Sequence, residues 1–440
     1  MTSSVEKDSR STLHLAEPAS VDESGLDYGF VLDLTMKTID NAGRPTARQV
    51  CDHICLPFQL MEEVLEFLRR QEYIDIVGST GVTEQDYQYT LTARGITKLQ
   101  SIVEHGQYVG PAPVPFALYE DVIARQSVAQ LQANPEAVAS ALDSLVLHPE
   151  TVQQIGTAVG AGRSLFIYGP PGNGKSTIAE CLVSLLSDAI LIPHAVEVFG
   201  QVIRIFDPLV HHHVELPEAE APEPEDEVEI SQRREDRDRR WAVCRRPLIV
   251  GGGEVTRADL ELRYSEIGKF YVAPSQMKAT NGVLIIDDFG RQLIRPEEML
   301  NRWMIPMDRN IDHLTFQTGE TVVVPFDVLL LFATNLNPSD LGDEAFFRRI
   351  RHKVRISDPT REEFIEILRR VSASMGLAFN PGTANYLVKT YYESAGRPFR
   401  GVHPRDIFNL IQDMCRYTRQ KPAFTRQWVD RACASYFLEE

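Results

Sequence analysis

The apolar positions of this chain switch between helical and strand spacing several times, and each switch marks an element. Leu60, Val64, Leu65 and Leu68 recur at helical spacing behind Leu56-Pro57, and Thr46 begins a shorter helix after Arg44-Pro45. Residues 73–77 and 87–91 alternate as two strands joined by a loop with Gly78 and Gly81, before Thr92 opens a closing helix. These elements predict a small α+β unit over residues 26–108. Farther on, Leu165-Phe166-Ile167-Tyr168, Val283-Leu284-Ile285-Ile286 and Val328-Leu329-Leu330-Leu331-Phe332 are unbroken apolar runs of strand length. Ile178, Cys181, Leu182 and Leu185 follow the first run at helical spacing. Thr360-Arg361-Glu362-Glu363 reads as a helix cap before a tail with at least two further helices. The expected fold class is α/β. A core with a parallel sheet spans residues 142–340 and a helical unit spans 341–440. A linker at 109–141 opens with Gly110-Pro111-Ala112-Pro113-Val114-Pro115, and the polar tail 1–25 is expected to be disordered.

Gly169-Pro170-Pro171-Gly172-Asn173-Gly174-Lys175-Ser176 joins the first apolar strand to its helix. Strand, glycine-rich loop and helix is the context that makes G-x-x-x-x-G-K-[ST] a P-loop. Its glycines let successive N–H groups curl around phosphate oxygens, and the helix N-terminus adds partial positive charge. Lys175 then reaches the β- and γ-phosphates and Ser176 ligates Mg²⁺, with Thr177 ending the nucleotide-binding set. The second strand ends in Asp287-Asp288, a Walker B pattern: Asp287 to hold Mg²⁺ and Asp288 to orient and deprotonate an attacking water. The third delivers Asn335 to its carboxyl end, where such sheets bind ligands.

The P-loop, Asp287-Asp288 and Phe332-Ala333-Thr334-Asn335, at these spacings, resemble the AAA+ ATPase superfamily over roughly residues 140–415. The resemblance implies ATP and Mg²⁺ as cofactors, Asn335 as sensor 1, and residues 341–440 as a lid. Asp343-Glu344-Ala345-Phe346-Phe347-Arg348-Arg349-Ile350 resembles the arginine-finger segment, with Arg349 favoured and Arg348 the alternative. Gly401-Val402-His403-Pro404-Arg405-Asp406-Ile407 resembles the sensor 2 motif, which implies Arg405 over the γ-phosphate. Because finger and P-loop belong to adjacent subunits in this family, a homo-oligomeric ring, most commonly a hexamer, is implied. The chain departs from the family at Asp288, where most members carry Glu; the shorter side chain implies slow hydrolysis. Asp287-Asp288-Phe289-Gly290 is similar to helicase-loader and transposition-helper ATPases, whereas residues 296–300 and 319–325 resemble the MoxR and enhancer-binding-activator branches. Gly268-Lys269-Phe270-Tyr271-Val272 is read either as a substrate-gripping loop with Tyr271 exposed or as a strand with ordinary core aromatics. The unit at 26–108, ending in Tyr89-x-Leu91-Thr92-x-x-Gly95, resembles the winged-helix domain.

Charge narrows what such a protein binds. The chain has 45 basic and 62 acidic residues, a net charge of −17, which argues against a nucleic-acid or anionic-membrane coat. Residues 26–105 carry 12 acids and 7 bases, and the helix in the recognition position bears Glu62, Glu63 and Glu66. A protein-docking role is therefore favoured over DNA reading. About residues 207–247 a charged insertion interrupts the core: residues 215–229 hold eight acids and no base, and residues 233–246 hold seven arginines. This composition predicts a mobile loop, with His211-His212-His213 as an exposed polar run rather than a metal site. Six scattered cysteines suit a reduced, cytoplasmic protein, and Cys51-Asp52-His53-Ile54-Cys55 lacks the second ligand pair that zinc needs. No apolar run approaches the ~20 residues of a membrane span. The expected function is a Mg²⁺-dependent ATPase ring that remodels a protein partner recruited by the N-terminal unit. The alternatives are a nucleic-acid-associated ATPase and a slow nucleotide-controlled assembly switch.

Overall fold

The computed structural model describes residues 15–130, 134–162, 164–183, 185–186, 188–214, 237–338 and 348–437. Residues 1–14, most of the charged insertion (215–236) and residues 339–347, which include the start of the finger segment, lie outside them.

The N-terminal unit follows the amphipathic pattern. After a short helix α1 (Val21–Ser24), α2 (Tyr28–Ala42), α3 (Ala47–Ile54) and α4 (Phe58–Arg70) pack Val31, Leu34, Val50, Ile54, Leu60, Val64 and Leu68 into one core. Thr46 caps α3 reciprocally with Gln49, satisfying backbone donors that a helix start leaves open. Strands β1 (Ile74–Ser79) and β2 (Tyr87–Leu91) form an antiparallel hairpin, and α5 (Ala93–His105) closes the unit behind the Thr92 cap. Residues 15–25, expected to be disordered, are held in place. Leu15 O accepts a hydrogen bond from Asp238 N, Ala16 bridges to Arg237, and Val21 is buried. Residues 15–25 are thus held by partners that are distant in sequence.

The core sheet is built from β4 (Leu165–Tyr168), β9 (Leu248–Gly251), β12 (Val283–Ile286), β15 (Leu329–Thr334) and β16 (His352–Arg355). It is wholly parallel, in the order β16-β4-β15-β12-β9. Side chains alternate across a strand, so each apolar run supplies two faces. Leu165, Ile167, Ile285 and Leu331 meet the helices Pro135–Leu142, Pro149–Gly160 and Lys175–Val183 on one side. Phe166, Leu284, Ile286, Leu330 and Phe332 meet Trp303 and Leu300 of the helix Pro296–Arg309 on the other. Covering both faces is why these strands read as continuous rather than alternating hydrophobic runs. The chain passes from β4 to the far edge at β9, returns through β12 and β15, and adds β16 on the other side of β4. The order therefore reverses at β4, the place where such sheets bind ligands.

A second sheet changes the reading of two segments. Its strands are β3 (Val114–Pro115), β6 (Ala195–Val198), β7 (Gln201–Arg204), β10 (Arg263–Ser265) and β11 (Phe270–Val272), in the order β10-β11-β7-β6-β3. The antiparallel hairpin of β13 (Ile311–Thr315) and β14 (Thr321–Pro325) adds Leu314, Val322 and Val324 to its core. The Pro-rich joint thus contributes an edge strand, with Val114 paired to Val196. Proline at a sheet edge removes no needed donor. Tyr271 is 2% exposed, packs edge-on against Phe316 at 4.8 Å and accepts a hydrogen bond from Gln317 N at 3.0 Å. This excludes the gripping-loop reading in this conformation.

The arginine-rich end of the insertion is not a mobile loop either. Residues Trp241–Arg245 form β8, paired with β5 (Ala189–Pro193). Arg240 and Asp238, 1% and 2% exposed, are bonded Nη2 to Oδ2 at 2.8 Å, and Arg240 Nη1 reaches Ser24 O at 2.8 Å. His211 is buried as well: its Nδ1 accepts from Asp207 N at 2.9 Å, leaving Nε2 to donate to Lys278 O at 2.8 Å. Among the described residues no cluster is able to hold a metal ion, and no helix is long and apolar enough to cross a membrane.

The C-terminal helices Arg361–Ser374, Pro381–Leu387, His403–Tyr417 and Arg426–Tyr436 form a core of their own around Phe364, Leu368, Tyr392, Phe408, Ile411 and Trp428. Burial lowers His403 there, and His194 beside the second sheet, to about 4. Both rings are neutral in the fold, whereas in the unfolded chain they protonate near 6.5. Unfolding then takes up protons, so stability falls as pH drops from about 6.5 towards 4. At pH 5 the loss is about 2 kcal/mol for His194 and less for His403, which solvent partly screens. The thermal midpoint is expected to be clearly lower at pH 5 than at pH 7; equal midpoints would show that neither ring is held neutral.

Candidate nucleotide site

The loop 169–174 sits at the carboxyl end of β4, where the strand order reverses. Gly174 has φ 76, and nothing lies within 4 Å of where a Cβ would stand, so glycine is required there by the backbone rather than by space. The helix Lys175–Val183 begins directly behind it, with Ile178, Ala179 and Leu182 buried against the sheet. That packing fixes the helix N-terminus, and with it Lys175, Ser176 and Thr177. Lys175 is 7% exposed; its Nζ donates to Gly169 O at 3.0 Å, Pro170 O at 2.9 Å and Asn335 Oδ1 at 2.6 Å. Burial lowers the ammonium below its ordinary value, while Asp288 and Asp287 pull it back up.

The neighbouring strands bring the acids. Asp287 and Asp288 follow β12, and Asn335 follows β15, the strand between β12 and β4. Asn335 Nδ2 donates to Asp288 Oδ1 at 3.1 Å, so a chain Lys175–Asn335–Asp288 runs across three adjacent strand ends. Asp288 adopts φ 48, a left-handed conformation that Asp tolerates better than most residues. The turn is clamped by Gln292, whose Nε2 donates to Asp287 O at 2.7 Å and whose Oε1 accepts from Gly290 N at 2.8 Å. Phe289 is buried beneath it, its N–H donating to Ala333 O. The oxygen donors of Ser176 and Asp287, beside a helix N-terminus, are the hard ligands that Mg²⁺ selects, and the donor set fits a magnesium nucleotide.

The other sequence-derived residues lie elsewhere. Arg348 and Arg349 line a cavity of about 490 Å³ with Ser164, Asp327 and Val328, at the amino ends of β4 and β15. This is the opposite end of the sheet from Lys175, on the order of 15 Å away for strands of this length. Arg349 Nε donates to Asp308 Oδ2 at 3.0 Å. Arg405 is exposed on the first turn of the helix His403–Tyr417. It is Arg400, five residues earlier, that forms an ion pair with Asp358 beside the P-loop. Gln292, Asp358 and Arg400 carry no motif; the only hint is their closeness in sequence to Asp288, the Thr360 cap and Gly401.

A family profile described as a domain of unknown function (DUF8689) matches residues 360–435, the C-terminal helical unit. No curated protein matches the chain by sequence. Among solved structures, the Thermotoga maritima RuvB Holliday junction branch migration motor is similar at 16% identity over 70% of each chain, with a TM-score of 0.32. NtrX from Brucella abortus is similar at 12% identity over 79% of this chain and 62% of that one, with a TM-score of 0.38.

Proposed function

We propose that this protein is an AAA+-type, Mg²⁺-dependent ATPase that works as a homo-oligomer and remodels a protein partner. The observation that carries the reading is the Lys175–Asn335–Asp288 chain at the carboxyl end of a parallel sheet, directly behind a glycine-rich loop and a helix N-terminus. Lys175 and the loop N–H groups would bind the β- and γ-phosphates, and Ser176 and Asp287 would hold the metal. Bound Mg²⁺ would supply charge neutralisation to the phosphates. Asp288 and Asn335 would orient the attacking water, with Asp288 taking its proton. Arg348 and Arg349, at the far end of the sheet, would serve a neighbouring subunit, and Arg405 would have to reach the γ-phosphate from the exposed first turn of its helix.

The N-terminal unit, winged-helix-like in its order of helices and hairpin, would dock the partner. Its exposed Glu62, Glu63 and Glu66 repel phosphates and so favour a protein over DNA. The left-handed Asp288, one methylene shorter than Glu, favours slow turnover. Replacing Asp288 with Asn keeps the Oδ1 acceptor for Asn335 but removes the base. Binding of MgATP is expected to stay within about threefold of wild type while turnover falls about a hundredfold or more. Turnover near wild type would remove Asp288 from this role.

A further inference from the structure

The asparagine of the P-loop is turned away from the loop and towards the helical unit. Asn173 is 8% exposed; its Nδ2 donates to Asp358 Oδ1 at 2.7 Å and its Oδ1 accepts from Gly401 N at 3.0 Å. Arg400 Nη1 pairs with the same Asp358 oxygen. Next to it, Val402 N donates to Gly172 O at 2.8 Å, and a Cβ at Gly172 would stand 2.8 Å from Val402 Cγ1. One carboxylate, on the segment leaving β16, therefore grips a P-loop side chain and the segment that leads into the helix His403–Tyr417.

We propose that Asp358 is a positioning residue, which sets the curvature of the phosphate loop through Asn173 and ties that curvature to the helical unit through Arg400. Phosphate binding needs the loop N–H groups to converge on one point, so small changes of curvature matter. Bonds to an ionised carboxylate are about twice as strong as neutral ones, and the other protein acceptor for Asn173 Nδ2 is the more distant Ser357 O at 3.4 Å. Coupling of this kind is reciprocal: nucleotide in the loop would steady the helical unit by the same factor that the unit steadies nucleotide. The inference rests on the nucleotide reading above.

The test uses the full chain with Asp358→Ala and Asp358→Asn. Without nucleotide, backbone hydrogen exchange is followed in residues 170–175 and 398–404; with MgATP, KM and kcat are measured. Asp358→Ala is expected to speed exchange in both segments and to raise KM about tenfold, with the smaller share of the loss in kcat. Asp358→Asn retains an Oδ1 acceptor for Asn173 and is expected to return KM to within about threefold of wild type. Faster exchange confined to 398–404 with unchanged KM would overturn the proposal, as would equal losses in both variants. If wild type itself binds no MgATP, the nucleotide reading fails. The exchange measurement then still decides the tie, which is overturned if residues 170–175 keep their protection in Asp358→Ala.

Discussion

Lys175→Ala is expected to abolish binding of a fluorescent ATP analogue, with a loss of more than about a hundredfold in affinity. Lys175 already sits at the centre of the site, held by two loop carbonyls and by Asn335. Its Nζ is positioned between the loop and the Asp288–Asn335 pair. The helix behind it is anchored by Ile178, Ala179 and Leu182, which the substitution leaves in place. Thermal stability should therefore change little, which separates lost binding from lost folding. Tight binding by a folded Lys175→Ala variant would show that the nucleotide, if any, binds elsewhere.

Arg240→Ala is expected to have the largest effect on stability. Its guanidinium and the Asp238 carboxylate are each 2% exposed at the side chain, and the arginine also bonds Ser24 O at the start of the N-terminal unit. Removing the arginine leaves a buried carboxylate without its partner, a change that costs about 3–5 kcal/mol. The loss is expected to loosen the joint between the N-terminal unit and the second sheet first, because Arg240 also reaches Pro113 O just before β3. Chemical denaturation followed by limited proteolysis around residues 106–115 would measure both effects. A loss below about 1 kcal/mol would mean that water reaches Asp238 and that the joint is held by other contacts.

The parts legible in the sequence are those whose signal is local. A sheet covered on both faces makes its strands continuous apolar runs, so β4, β12 and β15 stand out. The P-loop depends on glycines within eight residues, and Asn335 follows its strand directly. The parts not legible depend on partners far along the chain. The arginines of residues 237–246 read as a solvated run because composition does not reveal that Arg240 meets Asp238, Ser24 and Pro113 in a dry joint. Tyr271 stayed ambiguous because a strand of three residues has too short a period to show which face is covered. Asp358 and Arg400 are 42 positions apart, and only the fold joins them on the carboxylate that also holds Asn173.

In the proposed function, this chain hydrolyses ATP at a site completed by a neighbouring copy. Steady-state MgATP turnover per chain, measured across protein concentrations, tests it most directly. Turnover is expected to be slow and to rise with concentration to a plateau as Arg348 and Arg349 of one copy reach the nucleotide of the next. Turnover that is independent of concentration would contradict the shared site, and no turnover at any concentration would contradict the ATPase itself.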